Sequence, residues 1–184
     1  MKRKTAKELM IDSFWELAET KPIDRITVGD ITSNCGYSTA TFYRHFRDKY
    51  DLIVRAYSQG VSAIMQRIGV EGYTWRQTLV DGARVFRDQR EVLANLLLHT
   101  NGHDSFVRNM TEINYDALKG YILKISGQAA LDEQTDMFVR LYCMGTVSLT
   151  CEWILGKYGV SPEALAAIYE TALPAPLHPY LLQQ

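Results

Sequence analysis

From Ser38 to Lys49 the chain reads Ser-Thr-Ala-Thr-Phe-Tyr-Arg-His-Phe-Arg-Asp-Lys. These residue types suit recognition of a polyanion better than the making or breaking of covalent bonds. Phe42 and Phe46 lie four apart, so on a helix they share one face and turn it to the core. Thr39, Ala40, Tyr43 and Arg44 then fall on the outer side, with Ser38 and Thr41 near the helix start and His45 and Arg47 after it. Small side chains at Thr39 and Ala40 let the backbone sit deep in a major groove. Hydroxyls of Thr and Tyr bond phosphates or base edges, and a Thr or Ala methyl meets a thymine methyl. Lys49 stands in the first turn of a following helix, where its charge opposes the helix dipole. A phosphate bound at that helix start turns the penalty into an attraction. The alternative is a solvated lysine offset by Asp48 and Asp51; the surrounding arrangement favours phosphate.

Three local signals must place that face. Thr27 caps a short helix, with Asp30 three residues on closing a capping box and Ile26 and Ile31 forming a hydrophobic staple. That helix lasts to about Asn34, and Cys35-Gly36-Tyr37 makes a tight turn in which Gly36 is free to take a positive φ. Ser38 caps the second short helix, with Tyr37 placed to staple to Phe42, and Asp48 caps the third, with Asp51 closing its box. In front of them, Ala6, Leu9, Met10, Ser13, Phe14 and Leu17 trace one buried face of a first helix from about Thr5 to Thr20, ended by Pro22. Two short helices joined by a glycine turn behind a supporting helix form a helix-turn-helix.

Helical periodicity continues to the end of the chain. Ile53, Tyr57, Val61, Ile64 and Ile68 mark a helix over Lys49–Ile68, broken by Gly69 and Gly72. Further helices are expected over Trp75–Val85, Glu91–His99, Asp104–Ile125 and Leu131–Tyr158. Ser161-Pro162-Glu163 starts a last one, running to about Leu173 before Pro174, Pro176 and Pro179 forbid continuation. No alternating strand pattern, repeat or low-complexity tract interrupts this. The expected fold class is all-α: a three-helix helix-turn-helix domain over residues 1–48, joined to a helical bundle over residues 49–184.

Bulk properties narrow the function classes. The net charge of −1 conceals a mild asymmetry, because residues 1–60 hold ten Lys or Arg against eight Asp or Glu, and the remainder ten against thirteen. Lys2-Arg3-Lys4 is a compact basic arm, read first as a solvated terminus. Cys35, Cys143 and Cys151 have neither the spacing of a metal site nor an even count, which fits a reducing, cytoplasmic setting. The apolar stretch from Met137 to Leu155 contains Arg140 and Glu152, so it reads as a buried helix or an interface and not as a membrane span. No nucleophile elbow, phosphate-cradling glycine loop, HExxH or Cys/His pair is present, so no catalytic residue, enzyme activity or cofactor is expected. His99 and His103 are four apart, but Asn101-Gly102 between them argues against one helix and no third ligand is evident, so no metal is expected.

The C-terminal two thirds offer two roles. Gly145, Ser148, Leu149, Glu152 and Gly156 run small residues along one side of the longest helix, and Leu165, Ile168, Tyr169 and Ala172 give the last helix an apolar stripe. Together they are the candidate homodimer interface, as four helices across a two-fold axis. Trp75, Phe86, His99, Phe106, Tyr115 and Tyr121 are candidate lining residues of an effector pocket.

The run from Thr27 through Cys35-Gly36-Tyr37-Ser38-Thr39-Ala40-Thr41-Phe42-Tyr43-Arg44-His45-Phe46 to Leu52 resembles the DNA-binding domain of the TetR family of transcription regulators. The Ser-x-x-Thr-Phe-Tyr-x-His-Phe-x-x-Lys-x-x-Leu spacing carries the resemblance over about the first quarter of the chain. Cys35 stands where the family often has alanine, and Tyr37 where an aliphatic residue is usual. Glu152-Trp153-Ile154-Leu155-Gly156 and Ser161-Pro162-Glu163-Ala164-Leu165 are similar to a subgroup that includes the dihydroxyacetone-kinase regulator, whose members need not bind a small molecule. The resemblance implies a homodimeric regulator, most commonly a repressor, on a near-palindromic operator, modulated by a small molecule or protein partner. It puts Thr39, Ala40 and Tyr43 nearest bases, and Thr27, Thr41, His45 and Lys49 on phosphates. The competing expectation is a helical protein–protein adaptor or co-activator that keeps the helix-turn-helix without reading DNA.

Overall fold

The computed structural model describes residues 4–100 and 105–182, and among them there is helix but no strand. Three helices build the N-terminal module: α1 (Ala6–Ala18), α2 (Val28–Asn34) and α3 (Thr39–Tyr43). Seven follow: α4 (Lys49–Met65), α5 (Trp75–Asp88), α6 (Arg90–His99), α7 (Phe106–Ser126), α8 (Glu133–Ile154), α9 (Pro162–Thr171) and α10 (His178–Leu181). Short 3₁₀ turns at Ile23–Arg25 and Ala175–Leu177 join α1 to α2 and α9 to α10. Among the described residues no helix is long and apolar enough to cross a membrane, and the three cysteines are free thiols.

The helix starts are fixed by local chemistry. Thr5 and Glu8 close a capping box on α1, Thr27 and Asp30 do the same on α2, and Asp48 accepts the Asp51 amide at the start of α4. Each such cap contributes about 1 kcal/mol. Gly36 has φ +74° in the turn between α2 and α3, with open space where a Cβ would stand, so only backbone conformation demands glycine there. The turn is tied by the Tyr37 amide donating to the Thr32 carbonyl at 2.9 Å.

Several ends differ from the sequence expectation. α4 stops at Met65, and residues to Ile68 continue only as turns into Gly69 at φ +79°. α8 is shorter at both ends than Leu131–Tyr158, because Asp132 caps it and Gly156 at φ +87° follows its last turn. α9 stops at Thr171, ahead of the prolines, but a further short helix, α10, follows them. Pro179 sits in the first turn of α10, where a missing N–H costs no intrahelical bond. The Asn101-Gly102 loop, His103 and the expected helix start at Asp104 lie outside the described residues, as do Lys2 and Arg3.

The core is organised in two apolar clusters. One runs from Phe14, Ile31, Phe42, Phe46 and Leu52 in the N-terminal module to Leu93, Leu96, Met110 and Ile154 beyond it. The other gathers Tyr115, Ile122, Val139, Leu177 and Leu181 at the opposite end. Helices α4, α5, α7, α8 and α9 pack round the space between them.

Candidate nucleic-acid interface and cavity

Phe42 and Phe46 are buried to 0% and 2% exposure, with ring centroids 5.3 Å apart, and they pin α3 to the module. Everything on the other side faces out: Thr39, Ala40, Arg44, His45 and Arg47 are exposed, and Tyr43 is 60% exposed. Ser38 is spent on the fold, since its Oγ accepts the Thr41 amide at 3.2 Å and lies 3.0 Å from Thr41 Oγ1. Thr41 Oγ1 also accepts from Arg44 Nη2 at 3.0 Å. Among the described residues the Thr39 and Tyr43 hydroxyls make no hydrogen bond, so these two stand ready for an outside partner.

Two expected phosphate ligands are engaged within the chain. Thr27 Oγ1 accepts the Asp30 amide and donates to its carboxylate, which also takes Lys21 Nζ at 2.7 Å. The Lys21 hydrogen bond, helped by Thr27, holds the Asp30 carboxyl well below the usual carboxylate range. Lys49 is engaged more fully. Its Nζ donates to the carbonyls of Ile23, Asp24 and Ile26 at 2.7, 3.1 and 2.9 Å. The ammonium therefore closes the carbonyl end of the 3₁₀ turn and does not point outward. Burial lowers its pKa, with Asp24 opposing.

A second tie runs from α6. Asn95 Oδ1 accepts the Ile23 amide at 3.2 Å, and its Nδ2 donates to the carbonyls of Ala18 and Lys21, each at 3.0 Å. One amide thus serves the end of α1 and the turn after it. His99 is exposed and lies 3.8 Å from Asp24, beside the same turn.

Between α4, α5, α7, α8 and α9 lies an apolar cavity of about 130 Å³. Trp75 and Phe86 line it as expected, whereas Phe106, Tyr115, Tyr121 and His99 do not. Phe106 instead packs edge-on against Tyr57. Tyr115 donates to Asp136 at 2.6 Å in the second cluster, and Tyr121 borders a separate groove beside Gly120. Aromatic spacing did not reveal Tyr57 and Asn114, which do line the cavity. Their one signal was a hydroxyl and an amide within otherwise apolar helical stripes.

The candidate dimer residues also divide. Leu165 and Tyr169 are buried and line the cavity, so they turn inward and leave the expected outer stripe. Gly156 meets an arginine of its own chain, since a Cβ there would stand 2.7 Å from Arg90 Nη2. Gly145, Ile168 and Ala172 are exposed, and Leu149 and Glu152 are half-buried.

Comparison with known proteins matches this geometry. The family described as bacterial regulatory proteins, tetR family, matches residues 11–56, and the one described as transcriptional regulator C-terminal region matches residues 73–174. No match is found among curated protein sequences. Among solved structures, the chain is similar to the dihydroxyacetone kinase operon activator DhaS at TM-score 0.67 and 15% identity, covering 95% of this chain and 97% of that one. A TetR transcriptional regulator from Rhodococcus sp. RHA1 gives TM-score 0.64 and 16% identity, with 96% and 100% covered. Thermus thermophilus FadR, a TetR family transcriptional repressor in complex with lauroyl-CoA, gives 0.61 and 16%, with 91% and 92% covered. At such identities the likeness speaks for the fold, and the two family matches, the second spanning more than half the sequence, speak for descent. The chain belongs to the TetR family of transcription regulators.

Proposed function

We propose that two copies of this chain bind a near-palindromic operator, each laying α3 in a major groove, and that an effector in the C-terminal cavity shifts the dimer between binding and non-binding geometries. Residues 1–48 serve as the reading module and residues 49–184 as the effector and dimerisation domain. The observation that carries this reading is the outward face of α3: Thr39, Ala40, Tyr43, Arg44 and His45 stand exposed, above two phenylalanines that fix the helix from below. Tyr43 and Thr39 contact bases, while His45, Arg44 and the start of α4 meet the backbone. DhaS is named an activator and the Thermus regulator a repressor. We take repression, which follows when the operator overlaps a promoter.

A site selected from random DNA and followed by fluorescence anisotropy tests the proposal. Half-sites should repeat about 34–36 Å apart, or one helical turn. The log–log salt slope should fall by about 0.9 for each phosphate neutralised. Failure to enrich any sequence, with the dimer intact, would leave the adaptor reading in its place.

A further inference from the structure

The chemistry of the cavity restricts what can occupy it. Among the described residues, those lining it include no Asp, Glu, Lys, Arg or His. A carboxylate or phosphate brought inside would lose its hydration without meeting a counter-charge, at a cost of several kcal/mol. Its volume of about 130 Å³ is close to the roughly 150 Å³ that holds one benzene in an engineered protein cavity. A single ring or a short chain fits.

Most polar groups at its wall are already spent. Thr78 Oγ1 donates to the Thr74 carbonyl, Thr146 Oγ1 to Tyr142 and Thr150 Oγ1 to Thr146. The Tyr142 hydroxyl donates to the Tyr169 carbonyl at 2.9 Å, and the Tyr169 hydroxyl to the Thr146 carbonyl at 3.0 Å. Trp75 Nε1 is buried without a hydrogen-bond partner among the described residues, and Tyr57 and Asn114 are open as a pair. Both Asn114 Nδ2 protons are used, one on the Tyr57 hydroxyl oxygen and one on the Met110 carbonyl, each at 2.8 Å. That leaves an acceptor, Asn114 Oδ1, and a donor, the Tyr57 O–H, which take no partner among the described residues. Burial raises the Tyr57 pKa, so the phenol stays a donor. Its ring is held against Phe86, nearly parallel at 13° with centroids 6.4 Å apart.

We propose that the cavity takes a small uncharged molecule with an apolar body the size of one ring and a single hydroxyl, which accepts from Tyr57 and donates to Asn114 Oδ1. The assignment rests on the effector reading above and names the ligand class that reading leaves open. A neutral hydroxyl satisfies the Tyr57–Asn114 pair at once, whereas an all-hydrocarbon ligand leaves both of these groups unpaired.

Calorimetric titration of the full-length protein with phenol, toluene and benzoate separates the possibilities without any substitution. Phenol should bind one per chain, toluene about tenfold more weakly for its missing hydrogen bonds, and benzoate without measurable saturation. Tyr57→Phe keeps the ring against Phe86 and removes one of the two hydrogen bonds, so it should reduce the preference for phenol over toluene to about threefold. Benzoate binding as tightly as phenol, no saturable binding of either neutral probe, or an unchanged preference in the variant would each overturn the assignment. Operator binding measured on the same samples keeps the two readings apart. DNA binding without probe binding removes only this inference, and probe binding without DNA binding removes the regulator reading.

Discussion

Lys49 and Tyr43 lie on either side of one turn and make opposite demands on the fold. The Lys49 ammonium gives its three protons to the carbonyls of Ile23, Asp24 and Ile26, while the Tyr43 ring stands out in solvent with only its edge against Phe42. Removing the lysine strips three carbonyls of their donor and unties α4 from the turn behind α1. Each lost bond is worth about 1 kcal/mol net, and water replaces part of it because the site is only half-buried. Lys49→Ala should therefore cost roughly 1–3 kcal/mol of stability, read as a lower denaturant midpoint at unchanged slope. Tyr43→Ala should leave the midpoint within about 0.5 kcal/mol of the parent and weaken operator binding by about tenfold, the loss of one base contact of some 1–3 kcal/mol. Equal midpoints for the two variants would return Lys49 to the phosphate role that its position in the first turn of a helix suggests.

At the scale of elements, the N-terminal module is held to the rest of the chain by α4, by the apolar cluster it shares with Leu93 and Leu96 of α6, and by one amide of α6. Asn95 binds the Ile23 amide and the carbonyls of Ala18 and Lys21 at once, a tripod whose three partners lie within six residues. Asn95→Ala should make the Ile23 amide exchange with deuterium at least tenfold faster while amides in the middle of α8 keep their protection, because the opening is local. Uniform acceleration throughout would mean that the amide supports global stability instead. Asn95 was not legible in the sequence. An asparagine in the middle of Arg90–His99 carries no signal of what it will meet 72 residues away. The helix starts were legible, because caps are written locally: Thr27 with Asp30, Asp48, and Ser161 before Pro162, although Asp51 binds the Arg47 amide and does not close a box with Asp48. The face of α3 was legible for the same reason, since two phenylalanines four apart define inside and outside together. Which aromatics reach the cavity depends on how five helices cross, so Trp75 and Phe86 were placed by their types and Tyr57 was passed over as part of an apolar stripe. Leu165 and Tyr169 fell the same way: α9 has an apolar stripe, but its register on α5 and α8 decides which half turns inward.

At the scale of the whole molecule, an apolar band on α8 stands without cover among the described residues. On α8, Met137, Leu141 and Met144 are 66%, 64% and 54% exposed, with Gly145 and Ser148 open beside them, and Ile168 on α9 is 46% exposed. Residues 137, 141, 144 and 148 step by four, three and four, which is one seam of a helix. Gly145 and Ser148 in that seam let a second backbone come close. In the homodimer proposed above, a second copy of the same face, turned through a two-fold axis, would cover the band. Leu141 lies at the middle of the exposed run, so in such a dimer Leu141→Arg would bury two unpaired cations against each other near the axis, a penalty of several kcal/mol. Within a single chain Leu141 is exposed, so the same substitution should leave the melting of the isolated chain nearly unchanged. Light scattering after size exclusion should then report the mass of one chain where the parent gives two. Operator affinity should fall with it, because each module alone makes half the phosphate contacts and the salt slope halves. A variant that stays dimeric with the parent's salt slope would place the two-fold axis on another face and free the α8 band for a different partner.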